Sequence, residues 1–217
     1  MKKILNILQF YGIILIACVA LNINAQQNEK WVLLFDGKTF NGWIGDTNKT
    51  WKITDGALVG GSTNNTVPRN EFIYTERSFT NFILSVEFKL VGTEGFINGG
   101  VQIRSKPLKN PPNEMRGYQC DMGDGWWGSI YDESRRNKTL AKPDADVLNK
   151  ALKKNDWNHY LIRCEGNRIR LYLNDVLMVD YTEQDPAIEQ YGVIGLQIHG
   201  GGKAIASYRN IKIQELP

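Results

Sequence analysis

Phe82-Ile83-Leu84-Ser85-Val86-Glu87-Phe88-Lys89-Leu90 decides the fold class, because apolar and polar side chains alternate along it with a period of two. Phe82, Leu84, Val86, Phe88 and Leu90 fall on one face and Ser85, Glu87 and Lys89 on the other, the pattern of a strand with one buried and one solvated face. Working outward, similar runs occupy Val32 to Phe35, Trp51 to Gly60, Phe72 to Thr75, Gly100 to Ser105, Tyr118 to Met122, Trp157 to Glu165, Arg168 to Tyr181, Val193 to His199 and Ala204 to Leu216. Asp55-Gly56, Gly166-Asn167 and Asn174-Asp175 supply hairpin turns between them. Strands joined by turns this short must be antiparallel. Only Ala145 to Lys153 has helical spacing, through Val147, Leu148, Ala151 and Leu152, so the crossover helices of a parallel sheet are missing. The spacing predicts an all-β chain of roughly ten or more strands, folded as a sandwich or jelly roll of two antiparallel sheets.

The N-terminus reads Met1-Lys2-Lys3, an apolar run from Ile13 to Leu21, then Asn22-Ile23-Asn24-Ala25 before Gln26, the layout of a secretory signal peptide. Residues 1–25 are expected to be removed, leaving residues 26–217 as a single domain of about 190 residues, enough for a core without disulfide staples. The apolar run falls short of the ~20 residues that span a bilayer, and nothing later approaches that length. No transmembrane segment is expected, and export places the mature protein in the periplasm or outside the cell. Leu15-Ile16-Ala17-Cys18 offers a competing lipoprotein box, which would make it a surface lipoprotein, but Val19-Ala20-Leu21 continue the apolar run instead of opening a polar tether.

The chain carries 26 Lys and Arg against 23 Asp and Glu, a formal charge of +3, and loss of the leader removes Lys2 and Lys3 but no acid. So even a balance excludes an electrostatic case for nucleic acid as partner. Cys120 and Cys164 read as small buried hydrophobes; no His or cation motif accompanies either as a nucleophile would require.

Within the strands, the polar phase marks the outward face. Val101 and Ile103 take the core phase and leave Gln102 and Arg104 outward. Tyr118, Cys120 and Met122 likewise leave Gln119 and Asp121, and Ile194, Leu196 and Ile198 leave Gln197 and His199. Any exposed sheet face is polar, but solvated strands favour Thr, Lys and Glu, whereas Gln, Arg, Asp and His are the donors and acceptors that sugar hydroxyls need. Trp126, Trp127 and Tyr131 adjoin this set and can stack on a sugar ring. His159, inside the Trp157-Asn158-His159-Tyr160 strand, reads as structural.

Trp31-Val-Leu-Leu-Phe-Asp36-Gly37-Lys-Thr-Phe-Asn41-Gly42-Trp43, followed by Trp51-Lys-Ile-Thr-Asp55-Gly56-Ala-Leu58, resembles the opening of the 3-keto-glycoside hydrolase/lyase family, the 3-keto-disaccharide hydrolases. Asn70-Glu71-Phe72, Gly100-Val-Gln102-Ile-Arg104-Ser105, Gly117-Tyr118-Gln119, Gly128-Ser-Ile-Tyr131-Asp132-Glu133 and Gly195-Leu-Gln197-Ile-His199-Gly200-Gly201 continue the match in order. The resemblance implies a concanavalin-A-like jelly roll and action on glycosides oxidised at C3. A C3 ketone acidifies the C2 proton, so one general base can remove it and expel the C1 substituent, after which water adds to the enone. Asp121, Glu71, Glu133 or neutral His199 is then the candidate base. Arg104, His199 and Gln102 are candidate donors to the enolate oxygen, and Gln119, Gln197, Trp126, Trp127 and Tyr131 complete the expected sugar contacts.

Two histidines in the whole chain, with no pair at ligand spacing, argue against zinc. Asp121, Asp124 or Asp132-Glu133 could bind a hard divalent cation, but no metal or other cofactor is assigned. The alternative function on the same sandwich is a non-catalytic carbohydrate-binding module. A retaining glucanase ranks last, because its Glu-x-Asp-x-x-Glu strand is missing, and a purely structural interaction protein would have no pocket between the loops.

Overall fold

The computed structural model describes residues 30–217, so the leader and lipoprotein box expected over residues 1–25 lie outside the described residues. In chain order the strands are β1 (Val32–Leu33), β2 (Trp43–Gly45), β3 (Trp51–Thr54), β4 (Ala57–Ser62), β5 (Glu71–Phe79), β6 (Phe82–Gly95), β7 (Asn98–Pro107) and β8 (Met115–Gly123). There follow β9 (Ile130–Glu133), β10 (Lys138–Ala141), the helix α1 (Ala145–Ala151), β11 (Asn158–Glu165), β12 (Arg168–Leu173), β13 (Val176–Thr182), β14 (Gly192–Ile198) and β15 (Gly202–Glu215). One sheet runs β13-β12-β11-β6-β15-β4-β3 with β1 paired to β15, and the second runs β10-β9-β8-β7-β14-β5-β2. All pairings are antiparallel. Two antiparallel sheets therefore face each other across one core, as the period-two runs require.

The alternation that opened the sequence reading builds that core. Phe82, Leu84, Val86, Phe88 and Leu90 of β6 are buried, and they join Val101 and Ile103 of β7, Tyr118 and Met122 of β8, and Ile194, Leu196 and Ile198 of β14 in one cluster. Each such side chain contributes on the order of 1.5–3 kcal/mol by leaving water. Cys120 in the second sheet and Cys164 in the first are free and buried, and burial pushes the Cys164 thiol up to about 12. Both are core side chains, not nucleophiles.

Helix α1 stops at Ala151, short of the expected Lys153, and starts where Asp144 Oδ1 accepts from the backbone N–H groups of Asp146 and Val147. The stretch Ser134 to Asp144, which lies outside every period-two run of the sequence, contains β10, an edge strand beside β9. Lys138-Thr139-Leu140-Ala141 has too little alternation to reveal a strand. Among the described residues no helix is long and apolar enough to cross a membrane.

The outer face of the second sheet is divided. Over β14 and β5, Met115 packs with Phe72, Val193 and Tyr74 in a small separate cluster. A Cβ on Gly195 would lie 2.8 Å from Met115 Sδ, so this glycine lets the side chain at the start of β8 lie across the sheet. The β7-β8-β9 half remains open to a cleft.

Candidate functional site

Register assembles the open half. Gln102 of β7 faces Gln119 of β8, and Gly100 stands between Asp121 on one side and Gln197 on the other. A Cβ on Gly100 would come within 2.6 Å of Gln119 Cγ, so only glycine lets the Gln119 side chain lie across β7. The result is a buried relay: Ser105 Oγ donates to Gln102 Oε1 at 2.6 Å, Gln102 Nε2 to Gln119 Oε1 at 2.9 Å, and Gln119 Nε2 to Asp121 Oδ1 at 2.8 Å. The hydroxyl at the start of this chain orients each amide in turn, so a donor is delivered to Asp121.

Asp121, Glu133 and His199 line one cleft of about 150 Å³, with Gln119, Trp126 and Tyr131 beside them. Clefts of about 260, 290 and 330 Å³ elsewhere are larger, but none of the three is lined by a histidine. Burial pushes the Asp121 carboxyl up to about 8; the Gln119 hydrogen bond pulls it down and the nearby Glu133 pushes it further up. Burial also raises Glu133, to about 7, with Glu114 adding to the rise and Ser134 and Gln197 opposing it. Burial lowers His199, against a hydrogen bond to the Gly200 carbonyl. That bond, 2.7 Å from Nδ1, settles the tautomer. A carbonyl oxygen only accepts, so Nδ1 carries the hydrogen and Nε2 of the neutral ring keeps its lone pair. The site thus sets a neutral base beside two carboxyls inclined to hold protons at neutral pH.

Aromatic side chains frame these groups. Trp126 and Tyr131 meet edge to face at 5.5 Å, with Lys142 Nζ 5.7 Å from the Trp126 ring centre, and Phe96 meets His199 edge to face at 4.6 Å. Phe96 and Asn98 line the cleft without having been singled out from sequence. Asn98 continues the outward phase of Gly100 and Gln102 and was within reach of that signal. Phe96 lies in the β6–β7 turn, where no period applies.

Several expected site residues lie elsewhere. Glu71 pairs with Ile198 and shares the phase of Ile73, one step out of register with the outward Phe72. It borders a separate depression of about 290 Å³ and is held by Arg69 Nε at 2.8 Å. Arg104 falls in a β-bulge between Ile103 and Lys106, with a φ of 48°. The extra residue breaks the alternation. It sends the guanidinium to the β5–β6 and β11–β12 turns, onto the carbonyls of Thr80 and Gly166. Trp127 is a core residue whose ring stacks near Phe88 and whose Nε1 donates to Asp124. Gln102 is fully buried in the relay, so it positions Gln119 instead of meeting a ligand. Gln197 is also fully buried; its amide lies near Glu133, but neither Oε1 nor Nε2 makes a hydrogen bond of ordinary geometry. His159 lies away from the cleft, with Nε2 2.9 Å from Ser85 Oγ on the neighbouring strand β6 of the first sheet. Among the described residues, no three His, Cys, Asp or Glu side chains gather as a metal site would need.

A family model of the 3-keto-alpha-glucoside-1,2-lyase-like domain matches residues 30–214. Comparison with curated proteins gave no match. Among solved structures, a protein of Parabacteroides distasonis ATCC 8503 described as a candidate glycosyl hydrolase superposes with a TM-score of 0.65 at 20% identity, covering 88% of this chain and 96% of that one. The carbohydrate-binding module CBM66 from Bacillus subtilis gives 0.61 at 20% identity over 80% and 96%. A β-glucanase of Bacillus licheniformis gives 0.56 at 10% identity over 87% and 98%. These three share the jelly-roll sandwich with this chain, and at such identities they speak to fold alone.

Proposed function

Because the chain belongs to the 3-keto-alpha-glucoside-1,2-lyase-like family, we propose that it is a carbohydrate-active enzyme that cleaves glycosides already oxidised at C3. The observation that carries the reading is the division of protons in the cleft. His199 Nε2 is an uncommitted acceptor, while burial keeps Asp121 a proton donor up to about pH 8.

In this reading His199 Nε2 takes the C2 proton, and the C2–H electron pair passes into the C3 carbonyl as an enolate. Asn98 and the second hydrogen of Gln119 Nε2 are the available donors to that oxygen, the role first expected of Arg104. The enolate collapses to a C1–C2 double bond and the C1–O bond breaks; Asp121 hands its proton to the departing oxygen. Water then adds across the double bond, its hydroxyl to C1 and its proton to C2, with Glu133 placed to assist. Trp126 and Tyr131 offer faces against which the sugar ring can stack. We also propose that residues 1–25 direct export, which would place this chemistry outside the cytoplasm.

The test is incubation of the purified protein with 3-keto and unmodified forms of one aryl glucoside, following aglycone release and enone absorbance. Release from the keto form alone is expected, and its loss in His199→Asn and Asp121→Asn. Binding of both sugars without release from either would overturn the enzymatic reading in favour of a binding module.

A further inference from the structure

The far ends of β7 and β8 hold a second cleft, of about 260 Å³, whose lining is the reverse of the first in charge. Arg104, Lys106, Arg116 and Arg135 border it, against Glu189 as the single lining carboxylate. Lys106 is paired with Glu189 and Arg135 with Asp132, but neither Arg104 nor Arg116 forms an ion pair with any described residue. Arg104 is the more telling of the two, since it is 2% exposed. Its Nε donates to Thr80 O at 2.7 Å, its Nη1 to Gly166 O at 2.7 Å and Gln190 Oε1 at 2.6 Å, and its Nη2 to Asn81 Oδ1 at 3.3 Å. All four acceptors are neutral. They hold the guanidinium in place and leave its charge unanswered in a setting of low dielectric, where an unanswered charge is costly. Ala187 and Ile188 give the cleft an apolar side, and Tyr191, 52% exposed, stands at the same wall.

We infer that this cleft binds an anionic sugar residue, its carboxylate or sulfate group received by Arg104 and Arg116 and its ring laid against Tyr191. The inference rests on the carbohydrate reading of the first cleft and adds an acidic sugar, at a second site, to what the chain binds. Guanidinium groups suit the planar carboxylate and the sulfate alike, and an exposed tyrosine beside them suits a ring more than a bare ion. Arg116 lies five residues from Asp121 along β8, about 17 Å at the usual strand rise, and the odd separation sets the two side chains in opposite phases of the strand, so the two clefts are separate sites.

Amide NMR of the full chain, titrated at fixed ionic strength with glucuronate, glucose or inorganic sulfate, tests this without requiring turnover. Glucuronate is expected to shift residues 104–106, 116 and 187–191, glucose to leave them unmoved, and sulfate to compete. The double variant Lys106→Gln/Arg116→Gln, altered at partly exposed positions, should weaken glucuronate at least tenfold, while Asp121→Asn leaves that affinity unchanged. Equal shifts from glucose, an unaffected double variant, or a response to sulfate with none to glucuronate would each overturn the inference. Shifts here together with a failed glucoside assay would instead place the fault in the enzymatic reading.

Discussion

Asp132 and Glu133 are consecutive residues of β9, and they belong to two acid pairs that the fold treats in opposite ways. Asp132, with Glu183 beyond β13, is answered by cations: Arg135 Nε donates to Asp132 at 2.7 Å, and Arg136 reaches both carboxylates, meeting Glu183 at 2.6 Å. Burial by itself would raise Glu183, yet Arg136, the Asp185 backbone N–H and the hydroxyls of Tyr118 and Tyr181 hold it well below the usual carboxylate range. Glu133 points to the opposite face of the strand, towards Asp121, and no cation hydrogen-bonds either carboxyl. Burial therefore pushes this second pair up, to about 7 and about 8. Burial of an acid is thus not what marks the site. Asp132, Glu183 and Asp121 are buried and Glu133 is half-buried; only the second pair lacks the cation that would fix it as a carboxylate, and that pair sits in a cleft with a neutral histidine.

The contrast breaks first, and most heavily, under substitution of the groups proposed to react. Asp121→Asn and His199→Asn should each lower kcat on 3-keto glucosides by about 10²–10⁴-fold with folding intact, measured by aglycone release and circular dichroism. At the other pair the effect should fall on stability. Arg136→Met removes the cation shared by two buried carboxylates, leaving Arg135 on Asp132 and none on Glu183, and should cost about 3–5 kcal/mol in urea unfolding, with turnover per folded molecule retained.

Smaller effects sharpen the same contrast. The folded state holds the Asp121 proton up to about pH 8, whereas the unfolded chain releases it near the ordinary 3.8. Its contribution to stability is therefore full below about pH 4 and is lost as pH rises through about 8. Asp121→Asn should melt above the wild type at pH 9 and lose that advantage at low pH, read by thermal scans. Gly100→Ala would drive a methyl into Gln119 and remove the hydrogen bond that lowers Asp121. A roughly tenfold fall in turnover is expected, the scale of one lost hydrogen bond, with the basic limb of the pH profile moved upward. Least of all, Trp126→Ala should raise KM by about 3–10-fold and leave kcat nearly unchanged.

Most of the fold could be read from alternation, because one face of nearly every long strand is core. The same rule placed Gln119, Asp121 and His199 on one face. It misplaced Arg104 because a bulge adds one residue to the count, and a period of two has no way to register the addition. Glu71 differs in origin: it came from the family resemblance and not from alternation, and the register sets it in phase with Ile73, beside a separate depression. Trp127 and Trp126 are adjacent and chemically identical, so composition could not say which of them packs on Phe88 and which lines the cleft. The Arg135 and Arg136 clamp that separates the two acid pairs follows β9 directly, yet nothing in its spacing tells which carboxylate it will answer.

Carbon-13 NMR titration of the side-chain carboxyls reads both acid pairs in one sample. Glu133 and Asp121 are expected to titrate near 7 and near 8 as a coupled pair, with Glu183 still ionised well below pH 4. Titration of Asp121 and Glu133 at ordinary carboxylate values, together with Glu183, would contradict the account, since the two pairs would then differ in position but not in chemistry.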